Sequence, residues 1–523
     1  MSITGEALIG GNGVKGLGAS FHAFNPATRE QLEPLFHTAD EQQIGEACSL
    51  AGAAFDAYRA TSDEQRAVFL ETIAAEIVAI GDALIERAMA ESGLPRVRLE
   101  GERGRTVNQL KLFADLLREG SWRDVRIDSA LPERTPPRPD LRMRLIPVGP
   151  VAVFAASNFP LAFSVAGGDT ASALASGCPV IVKAHAGHPG TSELVARAVV
   201  KAVQQCGLPA GTFALLTGTG NAIGQTLVAH PAIQAVGFTG SRSGGVALMG
   251  VAAARKQPIP VYAEMSSINP VFLLPQALAA RGDDIAKGFA ASLTMGVGQF
   301  CTNPGLVLGL AGADFERFAQ TAADALAAAP GATMLTDGIA ANYQRGVKTL
   351  AEHDGVETLA CNAQEEGKGA AALFITSADA FRAGHALHEE VFGPASLLVA
   401  CKDIAEMRAI TELLEGQLTA TLQLDAGDFD DAHTLLPVLE RKVGRILANG
   451  FPTGVEVSTA MVHGGPFPAT ADGRSTSVGT GAISRFLRPV CYQNLAQALL
   501  PDTLRDENTA QIWRRKDGVL GKA

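Results

Sequence analysis

Val151-Ala152-Val153-Phe154-Ala155 opens a stretch, running to Ser241, in which short apolar runs and helical runs alternate. The apolar runs are 151–155 (VAVFA), Val180–Lys183 (VIVK), Phe213–Leu216 (FALL) and 235–238 (AVGF). Residues 166–176, 191–206 and 223–228 read as the helices between them. This alternation predicts a parallel sheet covered by helices, a nucleotide-binding architecture in the α/β class. Ligands meet such a sheet beyond the carboxyl ends of its strands. The residues placed there are Ser157-Asn158, Lys183, Gly218-Thr219-Gly220 and Gly240-Ser241. The pattern Gly218-x-Gly220-x-x-x-Gly224 is one residue longer than the usual dinucleotide fingerprint. Backbone N–H groups of the helix that follows can take a pyrophosphate.

Further on, Met295-Gly296-Val297-Gly298-Gln299-Phe300-Cys301-Thr302-Asn303-Pro304-Gly305 sets one cysteine among glycines and a proline. Gly and Pro at this density end regular structure and make a sharp loop. Residues 285–294 (IAKGFAASLT) read as helix before the loop, and Leu306–Leu310 (LVLGL) as a buried strand after it. A free cysteine is ordinarily a small buried hydrophobe. The glycines argue otherwise for Cys301, because a packing residue needs no loop that lets a ligand approach the backbone. Upstream, Val261, Met265 and Ile268 give Glu264 apolar surroundings that a surface carboxylate rarely has.

The chain of 523 residues exceeds one ordinary core, so two large lobes are expected. Apolar residues at 47 % and charged ones at 19 % make a globular composition. A net charge of −11 with no long basic run argues against nucleic acid as the main partner. The seven cysteines (48, 178, 206, 301, 361, 401 and 491) are scattered without a C-x-x-C pair. Neither a zinc site nor a disulfide framework is expected, and a reducing cytoplasm fits. The first residues lack the charged and apolar regions of a signal peptide. The most apolar stretch, 147–168, is broken by Gly149, Pro150, Asn158 and Pro160, and reads as core rather than as a membrane span.

Residues 1–23 are a Gly-rich lead with little signal. Residues 39–60 and 63–92 read as amphipathic helices, with Ile73, Ile77, Ile80 and Leu84 on one face. A third helix covers 100–119, with an apolar stripe of Leu110, Phe113, Ala114 and Leu117 beside Arg103, Arg105, Lys111 and Arg118. Residues 122–144 carry Pro132, Pro136, Pro137 and Pro139 and read as extended. The alternation at 142–147 (RMRLIP) is that of an edge strand. After the cysteine loop, 314–329 and 404–414 read as helices and 373–376 as a strand. Residues 453–480, rich in Gly, Ser, Thr and Pro, form a loop. Residues 501–523 are a tail without a readable signal.

The cysteine stretch resembles the nucleophile loop of the aldehyde dehydrogenase superfamily, G-Q-x-C followed by a small polar residue. The resemblance runs from about residue 24, where Asn25-Pro26-Ala27-Thr28 resembles an N-P-A-T turn, to about residue 494. Glu264 matches the glutamate of E-L-G-G, with serines in place of the glycines. Glu389-Glu390-Val391-Phe392-Gly393-Pro394 resembles E-E-x-F-G-P, and Phe238-Thr239-Gly240-Ser241 and the glycine pattern match the family's own variants. The resemblance implies a Rossmann-type cofactor domain (1–125 and 145–262) and an α/β catalytic domain (263–480). It also implies a small β oligomerisation element (126–144 and 481–500) and a homodimer or homotetramer.

The implied reaction is NAD(P)-dependent oxidation of an aldehyde through a cysteine thiohemiacetal and thioester. Cys301 would be the nucleophile, Asn158 and the Cys301 N–H the oxyanion donors, and Glu264 the base that activates water. Lys183, Gly220, Gly224, Gly240, Ser241, Glu390 and Phe392 would hold the cofactor. Ala186 stands where NAD-preferring members often have a glutamate, which admits a 2′-phosphate and hence NADP as well as NAD. Arg105 falls on a tunnel-facing position of its helix and Phe159 beside the substrate. An arginine there is either a solvated charge or a fork for a substrate carboxylate.

The narrower resemblance is to the 2,5-dioxovalerate (α-ketoglutarate semialdehyde) dehydrogenase branch, through 157–163 (SNFPLAF), 188–192 (HPGTS) and 298–305 (GQFCTNPG). A fatty or broad-range aldehyde dehydrogenase is the alternative within the class. A cysteine thioesterase or acyltransferase, a CoA-dependent acylating enzyme or a non-catalytic scaffold would leave parts of the pattern unexplained.

Overall fold

Residues 2–522 are described in the computed structural model of the chain. The 151–241 stretch folds as its pattern predicts. A seven-stranded sheet runs in the order Val261–Glu264, Ala235–Thr239, Val151–Phe154, Val180–Lys183, Phe213–Leu216, Ala7–Ile9, Asn12–Val14. The first five are mutually parallel. Val151–Phe154 is buried at every position, the condition under which a strand reads as a continuous apolar run. The chain steps from Val151–Phe154 to Val180–Lys183 and Phe213–Leu216, then returns to place Ala235–Thr239 on the other side. The strand order therefore reverses at Val151–Phe154, which opens a crevice there. Ala7–Ile9 and Asn12–Val14 extend this sheet, with Leu8 paired antiparallel to Leu215. The N-terminal lead is thus structural, although strands of three residues leave almost no period to read.

Patterning predicts one helix over 63–92, but the chain forms two, Asp63–Ala79 and Asp82–Ser92. The break falls at Gly81, whose φ of 69° ends the helical run without steric cost. The next helix begins at Arg96 rather than at residue 100 and stops at Gly120, with φ of 83°. That earlier start brings Arg98, Glu102 and Arg105 onto one face, since positions i, i+4 and i+7 share a side of a helix.

A second seven-stranded sheet runs in the order Val356–Cys361, Ala372–Ser377, Ala395–Cys401, Leu306–Leu310, Val271–Leu273, Gln417–Gln423, Val443–Ala448. Only Val356–Cys361 is antiparallel to its neighbour. The helix before the cysteine loop is longer than expected, Pro275–Thr294. The helices Arg242–Ala253, Asp337–Ala351 and Phe429–Lys442 also belong to the fold. Val261–Glu264 pairs in the first sheet, so the expected boundary between residues 262 and 263 falls inside a strand.

A third sheet has the order Leu487–Gln493, Leu141–Pro147, Val125–Asp128, Arg514–Lys516, Val519–Gly521. Leu141–Pro147 is thus an interior strand, which corrects the edge assignment. Along it Arg142 alone is buried, against Asp140, Asp506 and the Leu504 carbonyl. The tail supplies two strands of this sheet. Arg514 pairs with Val125 in parallel, and Leu500, Leu504 and Ile512 join Val125 and Ile127 in a separate apolar cluster. Each such side chain stabilises by about 1.5–3 kcal/mol when fully buried. Among the described residues, no helix is long and apolar enough to cross a membrane.

Candidate active site

The crevice at the reversal of strand order is a cavity of about 610 Å³. The three candidate catalytic residues and all the candidate cofactor residues line it: Asn158, Glu264, Cys301, with Lys183, Gly220, Gly224, Gly240, Ser241, Glu390 and Phe392. Arg105 and Phe159 are not among its lining residues.

The residues on the cofactor side fit a dinucleotide. Gly220 has φ of 77° and open space where a Cβ would stand, so backbone faces the cavity. Ser241 caps the helix Arg242–Ala253 by accepting from the Gly244 N–H at 3.2 Å, which fixes the helix N-terminus at the cavity wall. Among the described residues no carboxylate contacts Lys183, which closes its strand, and burial pulls its ammonium down to about 8. Burial keeps the neighbouring His185 imidazole well below its ordinary range, hence neutral. A half-buried cation without a counter-charge among the described residues suits an anionic ligand group such as a 2′-phosphate. Burial pushes Glu390 up to about 8.

The cysteine loop is built from backbone that most residues avoid. Gly296, Val297 and Gly298 take φ of 56°, 59° and 63° in succession. A Cβ on Gly298 would stand 2.3 Å from the Gly393 carbonyl carbon, so the G-Q-F-C and E-E-V-F-G-P strings pack backbone to backbone. The Asn303 amide donates to the Gly393 carbonyl at 2.9 Å. The Asn269 amide donates to the carbonyls of Cys301 and Asn303, each at 2.9 Å, and ties the loop from below. Ser267, one of the serines in place of a glycine, is buried and bonded to Gln417 rather than turned to the cavity.

At the centre, Cys301 Sγ lies 3.4 Å from His463 Nε2, and that nitrogen lies 2.9 Å from Glu264 Oε1. Ser477 Oγ donates to Glu264 Oε2 at 2.9 Å. Burial pushes the Cys301 thiol well above its usual pKa, and the Glu264 charge adds to this. Burial alone would raise Glu264 too, but His463 and Ser477 outweigh it and hold the carboxyl below its ordinary value. Thiol and carboxylate are therefore the resting forms, and Glu264 can accept the thiol proton. Asn158 Nδ2 donates one proton to the Gln299 carbonyl at 3.1 Å, which leaves the other for an oxygen in the cavity.

Apart from the cofactor cavity, aromatic rings and arginines gather by the cysteine. Phe159 stacks edge-on to Phe163 and Phe300, with centroids 5.2 and 5.5 Å away. The Arg98 guanidinium sits 4.6 Å from the Phe159 ring and 4.5 Å from the Phe300 ring, and donates to the Asn158 carbonyl at 3.0 Å. Arg105 lies 5.4 Å from the Phe163 ring, whose centroid is 6.2 Å from that of His463. Arg105 Nη1 donates to the Val455 carbonyl at 2.6 Å, while its Nε and Nη2 are buried without a partner among the described residues. Arg445 holds the same loop through the Pro452 and Gly454 carbonyls.

His463, Ser477, Asn269, Arg98 and Arg445 are absent from the sequence expectation. The one readable signal was His463 directly before Gly464-Gly465 in the 453–480 loop.

Comparison with known proteins agrees with this arrangement. The sequence profile of the aldehyde dehydrogenase family matches residues 14–466. The chain is 60 % identical over 522 residues to alpha-ketoglutaric semialdehyde dehydrogenase 2 of Azospirillum brasilense, covering 99 % of each. It is 50 % identical over 520 residues to alpha-ketoglutaric semialdehyde dehydrogenase of Acinetobacter baylyi, covering 99 % of this chain and 98 % of that one. The fold matches a mutant aldehyde dehydrogenase C of Pseudomonas syringae in complex with NAD+ and octanal, with a TM-score of 0.80 and 21 % identity over 95 % of this chain and 98 % of that one. Two sheets meeting at one cysteine, the cavity at the switch of strand order and full-length likeness converge: the chain belongs to the aldehyde dehydrogenase family.

Proposed function

We propose that this chain oxidises α-ketoglutaric semialdehyde (2,5-dioxopentanoate) to 2-oxoglutarate with NADP or NAD. The observation that carries the reading is the 60 % identity across the whole length of a relative named for that aldehyde. The free edge of Arg105 supports it. Nε and Nη2 form the side of the guanidinium that grips a carboxylate with two parallel bonds. Burial holds the Arg105 guanidinium below its ordinary pKa, the mark of a charge short of a counter-ion.

In this reading Cys301 gives its proton to Glu264, and the sulfur adds to the aldehyde carbon. The carbonyl electron pair moves to oxygen, which Asn158 holds. Nicotinamide, when bound, supplies the hydride acceptor that turns the thiohemiacetal into a thioester. Glu264 releases the thiol proton to solvent and, again a carboxylate, takes a proton from water, which attacks the thioester and frees Cys301. Lys183, the Gly220 backbone, the helix N-terminus at Ser241, Glu390 and Phe392 would hold the cofactor. The seven free thiols fit a reducing cytoplasm, and the outer strand Leu487–Gln493 offers an edge for a homodimer or homotetramer.

A second reading, oxidation of neutral fatty aldehydes, is favoured by the rings of Phe159, Phe163 and Phe300. Initial rates of NAD(P)H formation with 2,5-dioxopentanoate and with hexanal separate the two. Preference for hexanal overturns the keto-acid reading. Arg105→Ala raises KM for 2,5-dioxopentanoate about 10- to 100-fold and leaves hexanal within a few-fold, as expected for a lost charge-assisted pair of bonds. An equal effect on both aldehydes returns Arg105 to a purely structural role.

The cofactor preference depends on pH. Lys183 loses its charge as pH rises through about 8, so attraction for a 2′-phosphate is present below and fades above. The ratio of kcat/KM for NADP over NAD therefore falls from pH 7 to pH 9.5. A ratio that stays flat, or that survives in Lys183→Ala, excludes Lys183 as the phosphate contact.

A further inference from the structure

His463 is a buried titratable group at the centre that the mechanism above leaves unused. Its ring is fixed by the backbone: the His463 N–H donates to Thr476 Oγ1 at 2.9 Å, and its carbonyl accepts from the Ser477 N–H at 2.8 Å. Only Nε2 faces the chemistry, 2.9 Å from Glu264 Oε1 and 3.4 Å from Cys301 Sγ. Nδ1 is buried without a partner among the described residues. An ionised carboxylate only accepts, so the nitrogen beside it carries the proton. A second N–H at Nδ1 would be a buried donor with nothing to bond, so that position keeps its lone pair. This tautomer differs from the cysteine–histidine pair of thiol hydrolases, in which the imidazole takes the thiol proton. Here the nitrogen next to sulfur is already protonated, and the base is Glu264.

We propose that His463 is a catalytic residue of this chain, whose Nε2–H is shared between Glu264 and Cys301 and turns its hydrogen bond to the sulfur as the thiolate forms, the proton staying on nitrogen. The step balances. The S–H bond breaks and an O–H bond forms on Glu264, so one negative charge moves from carboxylate to sulfur with no change in total charge. A neutral carboxyl accepts more weakly than a carboxylate, so the N–H that held Glu264 is released toward the sulfur at the moment the sulfur needs a donor. Without that donor the thiolate forms in a buried setting with the charge uncompensated. Other charged groups act on Cys301: Glu264, with a carboxylate oxygen within 4.8 Å of the sulfur, and Glu390, Arg105, Arg98 and Arg445.

The proposal rests on Cys301 as the nucleophile but not on the identity of the aldehyde, so the test reads the thiol directly. The cofactor-free enzyme is treated with iodoacetamide from pH 6 to 10, with the modified cysteine identified by peptide mapping and Cys301→Ala as the blank. In His463→Phe the alkylation rate at pH 7 falls about tenfold or more, the size of a lost bond to a charged group, and its half-rise moves to higher pH. His463→Gln, whose amide nitrogen reaches the place of Nε2, restores most of the rate. Where the phenylalanine variant fails to fold, His463→Leu gives the same comparison. A wild-type rate and profile in the phenylalanine or leucine variant makes His463 a packing residue. Equal losses in the glutamine and apolar variants overturn the donor role in favour of an imidazole base. Alkylation of other thiols in place of Cys301 overturns the proposal and the nucleophile assignment together.

Discussion

Cys301→Ala lowers aldehyde oxidation by at least about 10⁴-fold, the loss that follows when a covalent nucleophile is removed from a site whose members act as one unit. The fold survives the change. The loop is held by main-chain contacts, the Asn269 amide on the Cys301 and Asn303 carbonyls and the Asn303 amide on the Gly393 carbonyl, none of which uses the thiol. The thiol is partly exposed to the cavity, so its removal empties no closed core. The melting transition therefore stays within about 1 kcal/mol of the parent, the usual range for a change away from packed core. Initial rates of NAD(P)H formation, set beside a thermal melt, check both halves. Activity above a hundredth of the parent in a folded variant points to another nucleophile and dismantles the mechanism.

The second large effect is expected at Glu264. Glu264→Gln keeps the shape of the side chain but removes the acceptor for the thiol and water protons, and kcat falls about 10²- to 10⁴-fold. The pH profile carries more information than the size. Glu264 is held below its ordinary pKa and Cys301 is pushed above its own, so the pair retains one shared proton across the neutral range. The fraction in which that proton has moved from sulfur to carboxylate does not change with pH in this window. At saturating cofactor, kcat/KM of the parent enzyme is therefore flat from about pH 6 to 8. In the glutamine variant the thiol proton must leave to solvent, and kcat/KM rises about tenfold per pH unit. A flat profile in both enzymes would falsify the assignment of Glu264 as the thiol's proton acceptor.

The parts of the site that could be read from sequence are those whose local chemistry is unusual. Cys301 stands out because Gly296, Gly298 and Pro304 forbid regular structure around it, and those glycines do take left-handed or close-packed backbone. The cofactor strands stand out because a strand covered on both faces is apolar at every position. His463 and Ser477 were hidden for the opposite reason. They lie in a segment without period, where nothing local separates a ligand-facing side chain from a loop filler, and only the approach of Glu264 gives them a role. Arg98 was missed because the helix was begun too late, which concealed the line through Arg98, Glu102 and Arg105. The interior place of Leu141–Pro147 was beyond local reading, since the strand on one of its sides, Leu487–Gln493, and the tail strands beyond Val125–Asp128 come from distant sequence.

That third sheet also sets an order of events during folding. Ser129 bonds to Asp517 across 388 residues of sequence, and Val125 lies beside Arg514. Closing so long a loop costs entropy that no nearby contact repays, so this pairing forms late, after the two larger sheets have shortened the distance between its halves. In the native fold Leu500, Leu504 and Ile512 cover Val125 and Ile127, so a chain whose tail has not yet docked is expected to leave these two side chains and the open side of Val125–Asp128 to solvent. Refolding at high concentration is thus governed by a segment far from the chemistry, and yield rather than catalytic rate is where damage to the tail registers first.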